Sequence, residues 1–265
     1  MIRAIFFDID GTLISMKDRK MPESCLKALN AMKESGIRLF IASGRPPVHL
    51  QLLCEEFRNF PWDGMVLLNG QYCVDEKGEV FHKQPVSKQA LEVLVPWLQK
   101  EADFPCTFYE LDDSYDIGFN AGMHDYLESI GRLDQMPRVE DPVRSLTHDT
   151  YQICPYIGEE RDAEFLAHAP GMESARWTPQ FADMIPLGGG KAQGIRRMLE
   201  RWNISIDETM AFGDGGNDIS MIQAAGIGVA MGNASENVKA AADYVTRDCE
   251  DDGIFAACEH FALIS

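Results

Sequence analysis

Apolar residues near the start of the chain fall into two short runs separated by an amphipathic segment. The first run follows Arg3 and ends at Phe7, and its β-forming residues predict a strand buried on both faces. Between residues 23 and 36, apolar residues recur every three positions and stop at Gly36, which predicts a helix that ends in glycine. Residues 37–42 are again apolar and predict a second strand. Strand, helix and strand in this order indicate a βαβ unit.

The alternation of strands and helices is interrupted in the middle of the chain. Residues 83–186 are richer in aromatic residues and proline, and their short candidate strands and two or three helical stretches predict a separate α+β domain. From residue 187 onward the alternation returns. We therefore predict an α/β fold, in which residues 1–82 and 187–265 form a doubly wound parallel sheet and residues 83–186 form an inserted domain.

The charge of the chain is strongly negative. It has 24 Lys and Arg residues against 42 Asp and Glu residues, which gives a formal net charge of −18. Such a surface repels the phosphate groups of nucleic acids, so we expect no nucleic-acid partner. An anionic substrate would need a local reversal of this field, either by a bound cation or by a few Lys and Arg side chains.

The chain carries no sequence sign of a membrane or secreted protein. No apolar run approaches eighteen residues, and the first run meets Asp8 too soon to act as a secretory signal. The seven cysteines are scattered and form no C-x-x-C pair, so they predict neither disulfides nor a zinc site. We expect a cytoplasmic protein that binds no membrane and is a monomer or a weak homo-oligomer.

Polar residues follow four of the predicted strands at the point where each strand ends. In an open parallel sheet, the carboxyl ends of the strands meet in one crevice where ligands bind. We therefore expect all four polar segments to contribute to one site. These segments are Asp8-x-Asp10, Ser43-Gly44-Arg45, Asn69-Gly70 and the run from Gly213 to Asp218.

The carboxylates among these residues indicate a cation site. Asp8 and Asp10 are two residues apart, so in an extended chain they point the same way, and two close carboxylates either share a proton or bind a cation. Asp214 and Asp218 would arrive from another strand. An all-oxygen set of ligands suits Mg²⁺ better than a soft metal. A cation would also provide the charge reversal that an anionic substrate requires.

The same residues suit attack on phosphorus. One aspartate could attack and form an aspartyl phosphate, while the other could give a proton to the departing oxygen. Gly11 would allow a sharp turn, and Thr12 and Ser43 would offer donors to phosphate oxygens. Lys191 lies near the start of a predicted helix, where the helix dipole disfavours a cation, which indicates that it faces an anion.

Taken together, these motifs resemble those of the haloacid dehalogenase (HAD) superfamily of phosphohydrolases. The resemblance covers both segments of the predicted sheet domain in the right order and implies a HAD-like Rossmannoid core. Asn69-Gly70 and the position and size of the insertion are similar to the Cof-type branch, in which the insertion is a C2B cap. The matching motifs are Asp8-x-Asp10-Gly11-Thr12, Ser43 after a strand, Lys191 before a helix, and GDGGND from Gly213 to Asp218.

The resemblance implies a role for each matching residue. Asp8 would be the nucleophile, and Asp10 the general acid and then the general base. The implied phosphate-binding residues are Gly11, Thr12, Ser43, Gly44, Lys191 and Asn217. The implied Mg²⁺ site consists of Asp8, Asp10 through its backbone carbonyl, Asp214 and Asp218. Possible substrate contacts are Arg45 and Asn69, although a solvated arginine and a simple turn residue explain these two equally well, and Ser43 could merely cap the next helix.

The expected function is therefore that of a Mg²⁺-dependent phosphatase. Its substrate would be a small phosphate ester, with sugar phosphates as the expected class, and the reaction would pass through an aspartyl phosphate at Asp8. Two alternatives remain open at this point. A phosphomutase would use most of the same residues, and a non-catalytic sensor could bind Mg²⁺ and phosphate without turnover.

Overall fold

The computed structural model describes residues 1–101, 104–129 and 138–264. The chain forms two compact units. The first comprises Met1–Arg45, His49–Lys83 and Gly190–Ser265, and the second comprises Pro46–Val48 and Gln84–Gly189. The predicted boundaries were 82/83 and 186/187, and the structure has them at 83/84 and 189/190. Residues 46–48, predicted in the sheet domain, belong to the second unit. Within the described ranges, every helix is too short or too polar to cross a lipid bilayer.

The first unit is built around an eight-stranded sheet in the order β13-β12-β11-β1-β2-β3-β4-β5, with strands numbered along the chain. The pairs from β13 to β3 are parallel, and β4 and β5 add antiparallel to the β3 edge. The strands are β1 (Ala4–Phe7), β2 (Arg38–Ala42), β3 (Gly64–Leu67), β4 (Tyr72–Asp75), β5 (Val80–Lys83), β11 (Thr209–Gly213), β12 (Ile227–Ala230) and β13 (Tyr244–Val245).

Helices cover both faces of this sheet. Alternate residues of β1 enter different cores: Ile5 and Phe7 lie in one hydrophobic cluster, and Ala4 and Phe6 lie in another. A strand buried on both faces is what an unbroken apolar run predicts. The helices of this unit are α1 (Glu23–Glu34), α2 (Glu55–Asn59), α6 (Lys191–Trp202), α7 (Ile219–Ala224), α8 (Glu236–Ala241) and α9 (Gly253–His260).

The second unit is an α+β structure with its own hydrophobic core. Its five strands pair antiparallel in the order β7-β6-β8-β10-β9, and residues such as Phe108 and Met184 are fully buried in its core. Its elements are α3 (Lys88–Leu98), β6 (Cys106–Tyr109), β7 (Ser114–Ile117), α4 (Ala121–Ser129), β8 (Gln152–Pro155), α5 (Asp162–Ala167), β9 (Met172–Ala175) and β10 (Asp183–Pro186).

The register of the first sheet brings the predicted motifs to one edge. Phe7 at the end of β1 pairs with Phe212 of β11 on one side and with Ile41 of β2 on the other. The residues that follow these strands therefore leave the sheet side by side. Asp8 continues the ladder by one bond, since its backbone N–H donates to the carbonyl of Phe212 at 3.0 Å.

Candidate active site

A buried lysine joins two of the predicted carboxylates. Lys191 is the first residue of α6 and is fully buried, and its Nζ donates to Asp8 Oδ1 and to Asp218 Oδ1, both at 2.5 Å. Burial alone would lower the pKa of Lys191, but the carboxylates of Asp218 and Asp8 outweigh this effect and raise it. Lys191 therefore remains a cation, and it faces two carboxylates, as its position at a helix N-terminus predicted.

Three close-packed glycines bring Lys191 to this position. Gly70 has φ +97°, and a Cβ added to it would lie 2.3 Å from the carbonyl oxygen of Gly190. A Cβ on Gly194, one turn into α6, would lie 2.3 Å from a methyl group of Val66. The start of α6 thus packs against the end of β3 more closely than any larger residue would permit. The Asn69-Gly70 signature accordingly has a packing role in addition to any contact with substrate.

Asp214 approaches the same site from the end of β11. Its Oδ1 accepts a hydrogen bond of 3.0 Å from the hydroxyl of Thr12, so this hydroxyl is engaged by a carboxylate within the protein. Its Oδ2 lies against Gly11, where an added Cβ would come within 2.3 Å of that oxygen. Gly11 also has φ +80°, a conformation that disfavours every residue with a side chain. Both the turn and the close approach therefore require glycine.

Asp218 stabilises this loop by accepting hydrogen bonds from its backbone. Its Oδ2 accepts hydrogen bonds from the backbone N–H groups of Asp214 and Gly215 at 3.0 and 2.9 Å, while Oδ1 accepts from Lys191. Asp218 is fully buried, so each of its oxygens has a donor, as a buried carboxylate requires. The GDGGND segment thus forms a closed turn around one aspartate.

Three carboxylates form a group that could hold a metal ion. Oxygen atoms of Asp8, Asp214 and Asp218 lie within 4.8 Å of one another. Burial is the main cause that raises the pKa of Asp8 to about 7 and that of Asp214 to about 8, and repulsion from the neighbouring carboxylates adds to it. The single positive charge of Lys191 cannot balance three carboxylates, of which two are buried and Asp214 is half-buried. A divalent cation stabilises such an arrangement.

The carboxylate of Asp10, by contrast, is not part of this group. It accepts two hydrogen bonds from Arg45, of 2.6 Å from Nε and 2.7 Å from Nη2, and Arg19 lies 3.6 Å away. Three of the four predicted metal ligands are therefore brought together through their side chains. The resemblance gave Asp10 a metal contact only through its backbone carbonyl, and that expectation is unaffected. For Arg45, the interpretation as a solvated surface residue was wrong.

Ser43, Gly44 and Asn69 lie at the neighbouring strand ends. Ser43 is buried, and its Oγ accepts a hydrogen bond of 3.2 Å from the backbone N–H of Arg45. Asn69 has φ +52° and is fully buried, and its backbone N–H donates to the carbonyl of Ser43 at 3.0 Å. Its Oδ1 accepts a hydrogen bond of 3.0 Å from Asn217 Nδ2. Asn69 and Asn217 therefore link the end of β3 to the GDGGND turn.

One residue at the site was missed from the sequence. Asn233 follows β12, and its Nδ2 donates to the carbonyl of Gly11 at 2.9 Å and to Asp214 Oδ2 at 3.3 Å. The rule that polar residues after parallel strands share one crevice applies to β12 as well. Applied to this strand, it would have included Asn233 among the candidates.

Comparison with known proteins decides the family of the chain. The family model of haloacid dehalogenase-like hydrolases matches residues 5–257. The chain belongs to this family. It is 34% identical over 268 residues to the putative phosphatase YkrA of Bacillus subtilis, an alignment that covers 99% of this chain and 98% of the relative.

Two solved structures of phosphatases superpose on the whole chain. The sugar phosphatase BT4131 of HAD subclass IIB is 37% identical, with a TM-score of 0.87 over 99% of this chain and 100% of the other. The phosphatase BT1666 of Bacteroides thetaiotaomicron is 33% identical, with a TM-score of 0.91 over 100% and 96% of the two chains. These relatives confirm three predictions: the doubly wound α/β fold, a Cof-type HAD phosphohydrolase, and phosphatase activity.

Proposed function

We propose that this phosphatase hydrolyses small phosphorylated metabolites, chiefly sugar phosphates, in a Mg²⁺-dependent reaction through an aspartyl phosphate at Asp8. The observation that carries the proposal is the position of Asp8 at the end of β1. There its carboxylate is bound to Lys191 Nζ at 2.5 Å and lies beside the carboxylates of Asp214 and Asp218. A nucleophile, a fixed cation and a site for a second cation thus lie together at one edge of the sheet.

The residues present fit a magnesium ion. The donors are all carboxylate oxygens, which Mg²⁺ prefers, and the pKa values of Asp8 and Asp214, raised by burial and by mutual repulsion, mark an excess of buried negative charge. Asp8, Asp214 and Asp218 would hold the ion, with the backbone carbonyl of Asp10 as the further ligand that the family resemblance implies. When bound, Mg²⁺ would neutralise charge on the phosphoryl group and on these carboxylates.

The residues of the chain would carry the reaction in two steps. In the first, a carboxylate oxygen of Asp8 forms a bond to phosphorus as the bond between phosphorus and the ester oxygen breaks, and Asp10 gives its proton to that oxygen. In the second, a water oxygen forms a bond to phosphorus as the bond between phosphorus and the Asp8 oxygen breaks, and Asp10 takes a proton from that water. This step releases inorganic phosphate and restores the Asp8 carboxylate. Lys191 would remain protonated throughout and stabilise the phosphoryl oxygens.

The substrate class is proposed from the relatives and from the two-unit architecture. BT4131, which is 37% identical, is described as a sugar phosphatase. The inserted unit would serve as a C2B cap that excludes bulk water and selects the leaving group. Phosphate-binding roles for Gly11, Ser43, Gly44 and Asn217 belong to the same proposal. Cytoplasmic location and a monomer or weak homo-oligomer stay predictions.

The test is phosphate release from a panel of sugar phosphates, nucleotides and other small phosphoesters. We expect release from sugar phosphates in Mg²⁺, little in EDTA, and none above background for Asp8→Asn. Lys27→Met, a change at a highly exposed side chain of α1, is the control for expression and handling. Release by Asp8→Asn at the wild-type rate would refute the aspartyl-phosphate mechanism. Full activity in EDTA would refute the Mg²⁺ requirement, and a preference for nucleotides would refute the substrate class.

A further inference from the structure

Asn233 connects three segments that meet at the acidic site. It lies three residues after the end of β12, on the exposed rim of the sheet edge. Its Nδ2 donates to the carbonyl of Gly11 and to Asp214 Oδ2, and its Oδ1 accepts a hydrogen bond of 3.0 Å from the backbone N–H of Cys249. One amide thus joins the loop after β1, the loop after β11 and the segment before α9.

The orientation of this amide follows from its partners. A backbone carbonyl can only accept a hydrogen bond, and a backbone N–H can only donate one. The amino group of Asn233 must therefore face Gly11 and the oxygen must face Cys249, as observed. The second hydrogen of the amino group is then left for Asp214 Oδ2. The three contacts use both hydrogens and the oxygen of the side chain.

Asp214 depends on these contacts for its orientation. Its Oδ1 is fixed by the hydroxyl of Thr12, and its Oδ2 is fixed by Asn233 and packs against Gly11. Within residues 1–101, 104–129 and 138–264, no basic side chain forms an ion pair with Asp214. Two neutral donors, one for each oxygen, therefore set the direction of a carboxylate that faces Asp8 and Asp218.

We propose that Asn233 is a positioning residue for the cation site, which orients the carboxylate of Asp214 and holds the Gly11 loop against it. The inference rests on the proposed function, because it takes Mg²⁺ as the ion that Asp214 helps to bind. Residues that orient metal ligands through hydrogen bonds typically change metal affinity by about 10- to 100-fold when they are substituted. Since Asn233 is exposed, its loss should affect the fold much less than the site.

The variant Asn233→Leu has nearly the shape of asparagine but has neither the amide donor to Asp214 and Gly11 nor the oxygen that accepts from Cys249. We expect its Kd for Mg²⁺, measured by isothermal titration calorimetry on the full-length protein without phosphate, to rise about 10- to 100-fold. Thr12→Val removes the other donor to Asp214 and should act in the same direction. Asn237→Leu is the matched control, because Asn237 is an exposed asparagine of α8 whose contact is with Ser235. Its Kd should equal that of the wild type.

Steady-state kinetics at several Mg²⁺ concentrations distinguish a positioning role of Asn233 from a purely structural one. At saturating Mg²⁺ we expect Asn233→Leu to recover kcat to within about threefold of the wild type, with KM for the phosphate ester unchanged. A merely structural role would lower kcat at every Mg²⁺ concentration. If the leucine variant does not fold, as judged by circular dichroism in EDTA, Asn233→Ala provides the same comparison without the exposed apolar side chain.

The outcomes distinguish the two proposals. If Asn233→Leu and Asn233→Ala both bind Mg²⁺ with the wild-type Kd, Asn233 has no positioning role. The proposed function would then be unaffected. A wild-type protein that binds no Mg²⁺ would overturn both. A loss of kcat that saturating Mg²⁺ does not restore would also overturn the role of Asn233 as a positioning residue for the ion.

Discussion

Arg45 binds the carboxylate of Asp10 through both of its oxygens. Nε lies 2.6 Å from Oδ2, and Nη2 lies 2.7 Å from Oδ1, so the planar guanidinium fixes the plane and the direction of the carboxylate. Both side chains are about one-fifth exposed, so solvent screens the pair only in part. The residue proposed to exchange protons with the substrate thus has its geometry set by a residue from the end of the neighbouring strand.

This pair predicts a dependence on the leaving group. Arg45→Gln removes the pair of guanidinium hydrogen bonds and should allow the Asp10 carboxylate to rotate. This rotation would slow the transfer of a proton to the ester oxygen. General acid catalysis contributes about 10²- to 10⁴-fold, and misplacement of the acid should remove at least about tenfold of it. We expect kcat to fall by about tenfold or more for an alkyl phosphate such as a sugar phosphate, and by much less for p-nitrophenyl phosphate.

The comparison needs a control arginine and a rescue variant. Arg3 is an exposed arginine of the same unit, paired with Glu208 near the opposite ends of the strands, and Arg3→Gln should leave both rates unchanged. Arg45→Lys keeps the positive charge but cannot form both hydrogen bonds at once, so it should lower kcat for the alkyl phosphate by less than Arg45→Gln does. Equal losses for both substrates would contradict a role through Asp10.

Lys191 is expected to matter for stability as well as for activity. Lys191→Met leaves the buried carboxylates of Asp8 and Asp218 without their cation, and breaking a buried ion pair in this way costs about 3 to 5 kcal/mol. We expect the free energy of unfolding in EDTA, measured by urea denaturation, to fall by about 3 kcal/mol. Mg²⁺ should restore part of this loss.

The matched control is Lys27→Met, since Lys27 pairs only loosely with Glu23 on the surface of α1. Its free energy of unfolding should stay within about 0.5 kcal/mol of the wild type. An equally stable Lys191→Met protein would show that the buried carboxylates do not need the lysine charge.

The grouping of residues that follow the strands could be predicted from the sequence, because it depends only on the topology of a parallel sheet. Apolar runs indicated the ends of β1 and β11, and the carboxyl ends of parallel strands share one edge, so Asp8 and Asp214 could be grouped without coordinates. Lys191 was added because it lies at the start of a predicted helix and because it matches the family motif. The hairpin of β4 and β5 was not predicted. It adds to the sheet through a tight turn in which Asp75 Oδ1 accepts from the backbone N–H groups of Lys77 and Glu79.

Side-chain partners at the site were less predictable, because they depend on unusual backbone angles. Leu68 and Asn69 both have positive φ, near +51° and +52°, which few residues other than glycine adopt. This turn directs Asn69 towards Asn217. The pairing of Arg45 with Asp10 and the hydrogen bond from Thr12 to Asp214 likewise follow from loop conformations that no periodicity encodes.

The stability of the metal-free protein should depend on pH. In the native state, burial first and neighbouring carboxylates second raise the pKa of Asp8 to about 7 and that of Asp214 to about 8, whereas unfolded aspartate titrates near pH 3.9. Between these values the native state binds more protons than the unfolded state. The free energy of unfolding should therefore fall as pH rises from about 4 to about 8, by up to about 1.4 kcal/mol per pH unit for each group.

Urea denaturation in EDTA at several pH values measures this slope. Mg²⁺ should flatten it, because a bound cation favours the ionised carboxylates over this whole range. Asp214→Asn removes one of the two titrating groups and should reduce the slope in EDTA. A free energy of unfolding that is constant between pH 5 and pH 8 in EDTA would show that these carboxylates are ionised in the native protein without metal.

The substitution Gly11→Ala tests whether activity requires the close approach of the backbone to Asp214. In Gly11→Ala, the new Cβ would lie 2.3 Å from Asp214 Oδ2, so the carboxylate or the loop has to move by about an ångström. Displacement of a catalytic group by that distance can cost about 10²-fold in rate. We expect kcat/KM to fall by about that factor and the Kd for Mg²⁺ to rise, both measured on the full-length protein.

Backbone strain alone could also damage this variant, and Gly36 provides the control. Gly36 has φ +82°, almost the same as the +80° of Gly11, but an added Cβ would meet nothing within 4 Å. Gly36→Ala should therefore lose about 1 to 2 kcal/mol of stability through the left-handed backbone and keep its activity. If both variants retain wild-type kcat/KM, the Gly11 loop can relax away from Asp214 and the close approach is not required for turnover. If only Gly11→Ala loses activity, the contact with Asp214, and not the backbone angle, is what the glycine serves.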